Sequence, residues 1–292
     1  MIFLTGSSGF VGTTFLNFFN YCNIRTFGRG KEINFDGVKI VIHLAGKAHD
    51  LKNTLNPEEY YQINTELTKN VFDAFLASDA KVFITLSSVK AVADEIQGEL
   101  TEEHISKPIT HYGKSKLLAE QYILSKEILT GKRVYILRPC MIHGPGNNGN
   151  LNLLYKFVQK GIPWPLGSFE NKRSYCSIDN LMFILKELIE REDIESGIYN
   201  VADDEPLSTN ELIKLIAQSQ KRNSKIWNFS KMFIASVASI GDKLHLPLNT
   251  ERLGKLTSSY VVSNAKIKTA IGKPLPVSSR EGLLKTFKSF HN

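Results

Sequence analysis

Thr5-Gly6-Ser7-Ser8-Gly9-Phe10-Val11-Gly12 sets three glycines at a spacing of three, between an apolar run, Ile2 to Thr5, and a helical stretch, Gly9 to Asn20. In that setting the glycines let the backbone turn sharply and approach a pyrophosphate, which meets free amides and the positive end of the helix dipole. The flanking strand and helix separate such a dinucleotide turn from a chance glycine triplet. A second strand, Ile24 to Phe27, follows.

Beyond this unit, Val38 to Ala45 is β-branched without clean alternation and reads as a buried parallel strand. A helix at Thr65 to Ala77, a strand at Lys81 to Leu86, a helix at Tyr112 to Thr130 and a strand at Arg133 to Leu137 come next. Strands alternating with helices predict an α/β fold, a doubly wound parallel sheet. The stretch between Phe27 and Val38 is too short for a full crossover helix. Pro139, Gly144, Pro145, Gly146 and Gly149 then interrupt the alternation. A helix (Leu151 to Gln159), a loop (Gly161 to Gly167), a helix (Asp179 to Arg191) and a strand (Gly197 to Ala202) follow. Ser208-Thr209-Asn210-Glu211 opens a helix to Gln218, capped by Ser208 or Thr209. The expected organisation is a dinucleotide domain over 1–150, to which 176–202 returns, and a smaller, mostly helical substrate domain from 151–175 and 203–292.

The 292 residues are 42% hydrophobic and 22% charged, which predicts a packed core and excludes wholesale disorder. Runs such as Val38 to Ala45 and Met232 to Ile240 fall short of the ~18 apolar residues of a membrane span. Met1-Ile2-Phe3-Leu4 carries no basic leader region, and Cys22, Cys140 and Cys176 fit neither a disulfide framework nor a zinc cluster. Cytoplasmic residence, no metal and no membrane partner are expected. A net charge of +7 suits nucleic acid, a membrane surface or an anionic small molecule. The longest basic cluster, Gln220 to Lys225, holds three cations without interleaved aromatics, so nucleic acid is not expected and most of the charge reads as surface.

Tyr112-Gly113-Lys114-Ser115-Lys116 places a phenol and an ammonium one helical turn apart. A neighbouring cation is expected to lower the phenol pKa into a useful range for proton transfer. Ser87-Ser88 lies at the C-terminal end of a parallel strand, the edge where open α/β sheets bind ligands. Thr26-Phe27-Gly28-Arg29-Gly30-Lys31 offers no acid before Glu32 for an adenosine ribose, while Arg29 suits a 2′-phosphate; NADP(H) is expected ahead of NAD(H).

With these motifs and His43-Leu44-Ala45-Gly46, Leu86-Ser87-Ser88, Leu137-Arg138-Pro139 and Arg173 to Asn180, the chain resembles an extended short-chain dehydrogenase/reductase of the nucleotide-sugar epimerase/dehydratase kind over essentially its whole length. The resemblance implies a Rossmann-type fold with Tyr112 as acid/base, Lys116 on the nicotinamide ribose and Ser88 as third member. It implies cofactor contacts at Gly6, Ser8, Gly9, Phe10, Val11, Gly12, Leu44, Ala45, Gly46, Asn64, Ser87 and Pro139. Arg173 would clamp a nucleotide diphosphate, for which a planar guanidinium is suited. Lys90, Asn150 and Arg252 are further substrate candidates, whereas His43, Cys140 and Cys176 read as structural.

The 4,6-dehydratases of this kind carry an Asp-Glu pair after the Ser/Thr; here those positions are Val89 and Lys90. Epimerases and 4-keto reductases need only the Tyr, Lys and Ser. Ser87-Ser88-Val89-Lys90, with Pro165-Leu166-Gly167 and Asn171-Lys172-Arg173-Ser174, resembles the bacterial branch that reduces UDP-4-keto-6-deoxy-N-acetylhexosamines for surface polysaccharide. The expectation is such a reductase, with a UDP-sugar 4-epimerase second and a non-catalytic nucleotide sensor third. A homodimer through the helices Leu67 to Ala77 and Ser115 to Leu129 is expected. Val92-Ala93 stands where these enzymes often read Tyr-Gly.

Overall fold

A computed structural model describes residues 1–20, 22–28, 30, 32–47, 56–147, 149–244 and 249–290. Six parallel strands form the central sheet: β1 (Ile2–Thr5), β2 (Ile24–Thr26), β3 (Ile40–His43), β4 (Val82–Leu86), β6 (Arg133–Pro139) and β9 (Gly197–Val201). Their order across the sheet is β2-β1-β3-β4-β6-β9. The winding reverses between β1 and β3, and ligands of open α/β sheets bind outside the strand C-termini at such a reversal. Two short parallel pairs lie outside the sheet: β5 (Glu99–Leu100) with β10 (Val261–Val262), and β7 (Met141–His143) with β8 (Tyr175–Ser177).

Successive strand side chains point to opposite faces, and the helices divide accordingly. Ile2, Leu4, Ile84, Tyr135 and Leu137 pack with α1 (Phe10–Phe18) and α6 (Ile178–Glu190). Phe3, Val41, Phe83, Val134 and Ile136 pack on the other face with Val71, Phe72 and Phe75 of one helix and Ile123 of another. The first belongs to a segment made of α2 (Glu58–Tyr60), one π-helical stretch (Tyr61–Glu66) and α3 (Leu67–Leu76); the second is α4 (His111–Leu124). Of the remaining helices, α5 (Asn150–Gln159), α7 (Thr209–Ser219), α8 (Lys231–Leu244), α9 (Thr250–Thr257) and α11 (Ser279–Ser289) build two further apolar clusters with Trp164, Leu166 and Leu207, while α10 (Ala265–Ile271) adds Ile267 and Ile271 to the cluster of α1 and α6.

The crossover from β2 to β3 contains no helix among its described residues; Phe35 packs edge-on against Phe3 at 4.7 Å instead. One helix end differs from expectation. α4 ends at Leu124 rather than at Thr130, because Ser125 turns its hydroxyl onto the Tyr122 carbonyl and Leu124 and Leu129 gain no burial by continuing. The loop Gly161 to Gly167 is tied down, its buried Trp164 and Leu166 bridging to Ile226 and Asn228. Ser208 caps α7 in a full capping box with Glu211.

Candidate active site

The C-terminal ends of β1, β3, β4 and β6 lie side by side along one edge of the sheet. Gly6 adopts φ +71°, and a Cβ there would stand 2.5 Å from the Ala45 amide nitrogen, so the turn after β1 lies directly on the turn after β3. A Cβ on Gly12 would sit 2.1 Å from the Gly6 carbonyl oxygen, which locks the first turn of α1 against the loop. Gly9 begins that helix without a side-chain cap, and Ser8 and Gly9 are exposed, leaving helix N-terminal amides open to an anion. Phe10 packs beside Gly144, and Val11 is half-buried against the core. The cradle fits a dinucleotide pyrophosphate. Gly12→Ala is expected to abolish measurable dinucleotide binding in a fluorescence titration; unchanged affinity would count against this role. Arg29 lies outside the described residues.

Beneath the two turns runs a buried relay. The Ala45 amide donates to the Thr5 hydroxyl at 3.1 Å, and that hydroxyl lies 2.8 Å from His43 Nδ1. On the far side His43 Nε2 is 2.9 Å from the Thr68 hydroxyl, which donates to the Asn64 carbonyl at 2.8 Å. Thr68 has therefore spent its proton, so His43 donates from Nε2 and accepts at Nδ1 as a neutral imidazole. Burial, with the Lys116 charge behind it, pushes the His43 pKa down from 6.5 to about 3. From pH 6.5 down to about 3 the unfolded chain takes up a proton that the folded one refuses, so stability falls with falling pH in that window. Urea midpoints are expected to lose that part of their acid slope in His43→Gln; an unaltered slope would count against the assignment.

The π-helical stretch turns Asn64 inward, where its amide bonds Lys47 at both ends (2.8 Å from the Lys47 amide, 3.1 Å to its carbonyl) and donates to Ser115 Oγ at 3.0 Å. Single π turns inside helices are frequent at functional sites. Ser115 Oγ in turn donates to the Tyr112 carbonyl at 2.8 Å, fastening the first turn of α4. Lys116 reaches the Leu86 carbonyl at 2.8 Å, and a Cβ on Gly46 would lie 3.0 Å from its ammonium and 3.1 Å from Asn64 Oδ1. Gly46, Asn64 and Lys116 thus converge. Ser87 lies beside them, its buried hydroxyl without a partner among the described residues, and Pro139 ends β6.

Tyr112 hydrogen-bonds Ser88 and packs edge-on to Tyr60 at 6.1 Å. Its pKa is raised, not lowered as expected from Lys116: burial of the hydroxyl outweighs the lowering by Ser88. Lys116 is itself pushed down from 10.5 to about 8 by burial, against the raising influence of Glu120. Glu120 lies outside the sequence motifs, although it continues the four-residue spacing of Tyr112 and Lys116. Its carboxylate takes Arg138 Nε at 3.0 Å and a second guanidinium nitrogen at 2.6 Å, fully buried behind Lys116.

On the substrate side, Ser88 caps the short turn Val89–Ala91 by accepting the Lys90 amide at 3.2 Å. Lys90 stands 4.1 Å over the Tyr260 ring and donates to the Asp94 carbonyl at 2.6 Å. Burial and the nearby Arg173 charge lower its pKa against Asp94 and Glu95. Tyr260, also overlooked in the sequence, donates to the Val89 and Ala93 carbonyls at 3.2 and 2.7 Å and so pins the Ser88 turn at Val92-Ala93. Arg173 bonds Ser258 at 3.2 Å and keeps a buried Nε without a partner among the described residues, a donor suited to an anion. Asn150 and Arg252 are exposed on the first turns of α5 and α9. Cys140 and Cys176 are buried core thiols whose pKa values burial raises. No group of three or more His, Cys, Asp or Glu suited to a metal ion occurs among the described residues.

Residues 2–202 match the NAD dependent epimerase/dehydratase family. A UDP-glucose 4-epimerase of Vibrio cholerae is 28% identical, over 99% of this chain and 95% of that protein. Among solved structures, MoeE5 in complex with UDP-glucuronic acid and NAD superposes with a TM-score of 0.75 at 18% identity, over 99% of this chain and 98% of that one. RMD from Pseudomonas aeruginosa complexed with NADPH gives a TM-score of 0.71 at 21% identity, over 99% and 98%. At these identities the structural likeness is one of fold.

Proposed function

The chain belongs to the NAD dependent epimerase/dehydratase family, and on that premise we propose that it reduces the 4-keto group of a UDP-4-keto-6-deoxy-N-acetylhexosamine with NADPH, in surface polysaccharide synthesis. The observation that carries this reading is the state of Tyr112. Its hydroxyl stands on Ser88 and burial holds it protonated, the form able to give a proton to a carbonyl oxygen. Two features agree. Val89 and Lys90 supply no carboxylates for eliminating water, and Asp94, further along that loop, is occupied by the Ile109 and Thr110 amides. Nor does the end of β2, Ile24 to Gly28, hold an acid to grip an adenosine ribose, which suits a cofactor exchanged each turnover.

A bound nicotinamide dinucleotide supplies the hydride. Around it, Lys116, Asn64 and Gly46 would form the ribose side of the pocket and Ser87 a further donor. Ser88 would hold the sugar carbonyl oxygen beside Tyr112, whose hydroxyl would supply the proton to that oxygen. Arg173, with Lys90 behind it, would take the diphosphate between the dinucleotide-binding part and the helical part of the chain. We further infer a homodimer through α3 and α4, where Leu118 and Leu124 are exposed; Leu118→Glu is expected to give monomers by light scattering.

A UDP-sugar 4-epimerase is the second reading, favoured by the likeness to the Vibrio cholerae enzyme along nearly the whole chain. The test gives purified protein the 4-keto substrate with NADPH or NADH. Stoichiometric loss of reduced cofactor is expected. Interconversion of UDP-hexosamines without added cofactor would replace the reductase by the epimerase.

A further inference from the structure

Helix α8 buries Ile234, Ala238 and Gly241, three positions on one side of its cylinder, against Trp164, Leu166, Ile213 and Leu253. The opposite side faces solvent and is apolar: Met232 is 83% exposed and Leu244 64%, with Phe233 and Ile240 between them on the same stripe. The face continues past the helix N-terminus. Phe233 packs on Phe229 at 5.7 Å and Phe229 on Trp227 at 5.8 Å, and Trp227 is 53% exposed. A contiguous apolar face of this kind marks an interaction surface. The charge around it is one-sided: from Lys221 to Lys255 there are seven Lys and Arg against two acids, so five of the chain's seven net positive charges lie in this stretch. One of the two acids, Glu251, is already paired with Lys255 at 2.5 Å.

We propose that this face docks the protein on an anionic lipid bilayer, with the Trp227, Phe229, Phe233, Ile240 side in the headgroup layer and Lys225, Lys231 and Lys243 on the lipid phosphates. That combination, an apolar stripe with aromatics beside cations, is what interfacial helices use, and Trp prefers the headgroup level. A second copy of the chain is disfavoured as occupant, because two faces of like charge would meet. A nucleic acid has no use for the aliphatic Met232, Ile240 and Leu244. The inference runs against the sequence expectation of no membrane partner and is independent of which reaction the active site performs. It requires no spanning segment, and no described helix is long and apolar enough to cross a membrane.

The chain has two tryptophans, and Trp164 is 5% exposed, so emission changes on docking report Trp227. Full-length protein is mixed with sucrose-loaded vesicles of phosphatidylcholine alone or with phosphatidylglycerol and sedimented. Co-sedimentation with the anionic vesicles only, a blue shift of Trp emission and loss of both in high salt are expected. Phe233→Glu with Ile240→Glu should abolish binding, and Lys225→Glu with Lys231→Glu should weaken it roughly tenfold or more, with near-native circular dichroism and turnover in each. Absence of vesicle binding at low salt overturns the proposal. So does lipid-free self-association that Phe233→Glu dissolves, which would assign the face to a second copy.

Discussion

Tyr112→Phe is expected to lower kcat about a thousandfold, the usual loss when a positioned general acid is removed, with cofactor affinity nearly unchanged. The phenyl ring keeps the edge-on packing against Tyr60, and α4 keeps its Thr110 cap and its Ser115 ties, so only the hydroxyl is lost. Stopped-flow turnover and a dinucleotide titration on the same preparation separate the two effects. Retained turnover would sink the assignment of Tyr112 as proton donor. Because burial holds the phenol protonated, the rate of the proposed reduction should be flat through neutral pH in the wild type. It should fall as pH rises through about 8, where Lys116 loses its charge.

Glu120→Gln should be the most destabilising single change near the site. Both bonded guanidinium positions of Arg138 rest on this one carboxylate, and a third nitrogen of Arg138 is buried without a partner among the described residues. Removing one member of a buried ion pair strands the other charge and costs about 3–5 kcal/mol. Urea unfolding of Glu120→Gln should show a loss of about that size, and the double variant Glu120→Gln with Arg138→Met should recover much of it. The same change withdraws the charge that raises Lys116, so the alkaline limb of the rate should move to lower pH. A Glu120→Gln protein with native stability and an unmoved limb would show the pair to be a bystander.

What is legible in the sequence follows a physical divide. The glycine turn, the alternation and the Tyr112-to-Lys116 spacing are local patterns, and they place the starts of β1, α1, β3, β4, α4 and β6 within a residue or two of where they lie. The turns brought together at the strand ends are those quoted from the sequence. The Glu120–Arg138 pair, the Thr5–His43–Thr68 relay and the Tyr260 ties join residues 18 to 171 positions apart, and no local period announces them. The sign of the Tyr112 shift is hidden from the sequence for the same reason: desolvation is set by everything that packs around a hydroxyl, whereas spacing reveals one neighbour. Burial of the phenol wins over proximity of a cation that is itself turned toward the Leu86 carbonyl.

The Tyr260 bonds also set an order of assembly in time. The turn that carries Ser88 is held by a residue 171 positions later, and the neighbouring β5 waits equally for β10. At a synthesis rate of about 5–20 residues per second, roughly 10–30 s separate the emergence of Val89 from that of Tyr260. Through that interval a nascent chain can complete β1 to β6 and its nucleotide turn while the Ser88 turn is still unfastened. A ribosome-bound chain stopped short of Tyr260 should therefore acquire dinucleotide binding before it acquires turnover.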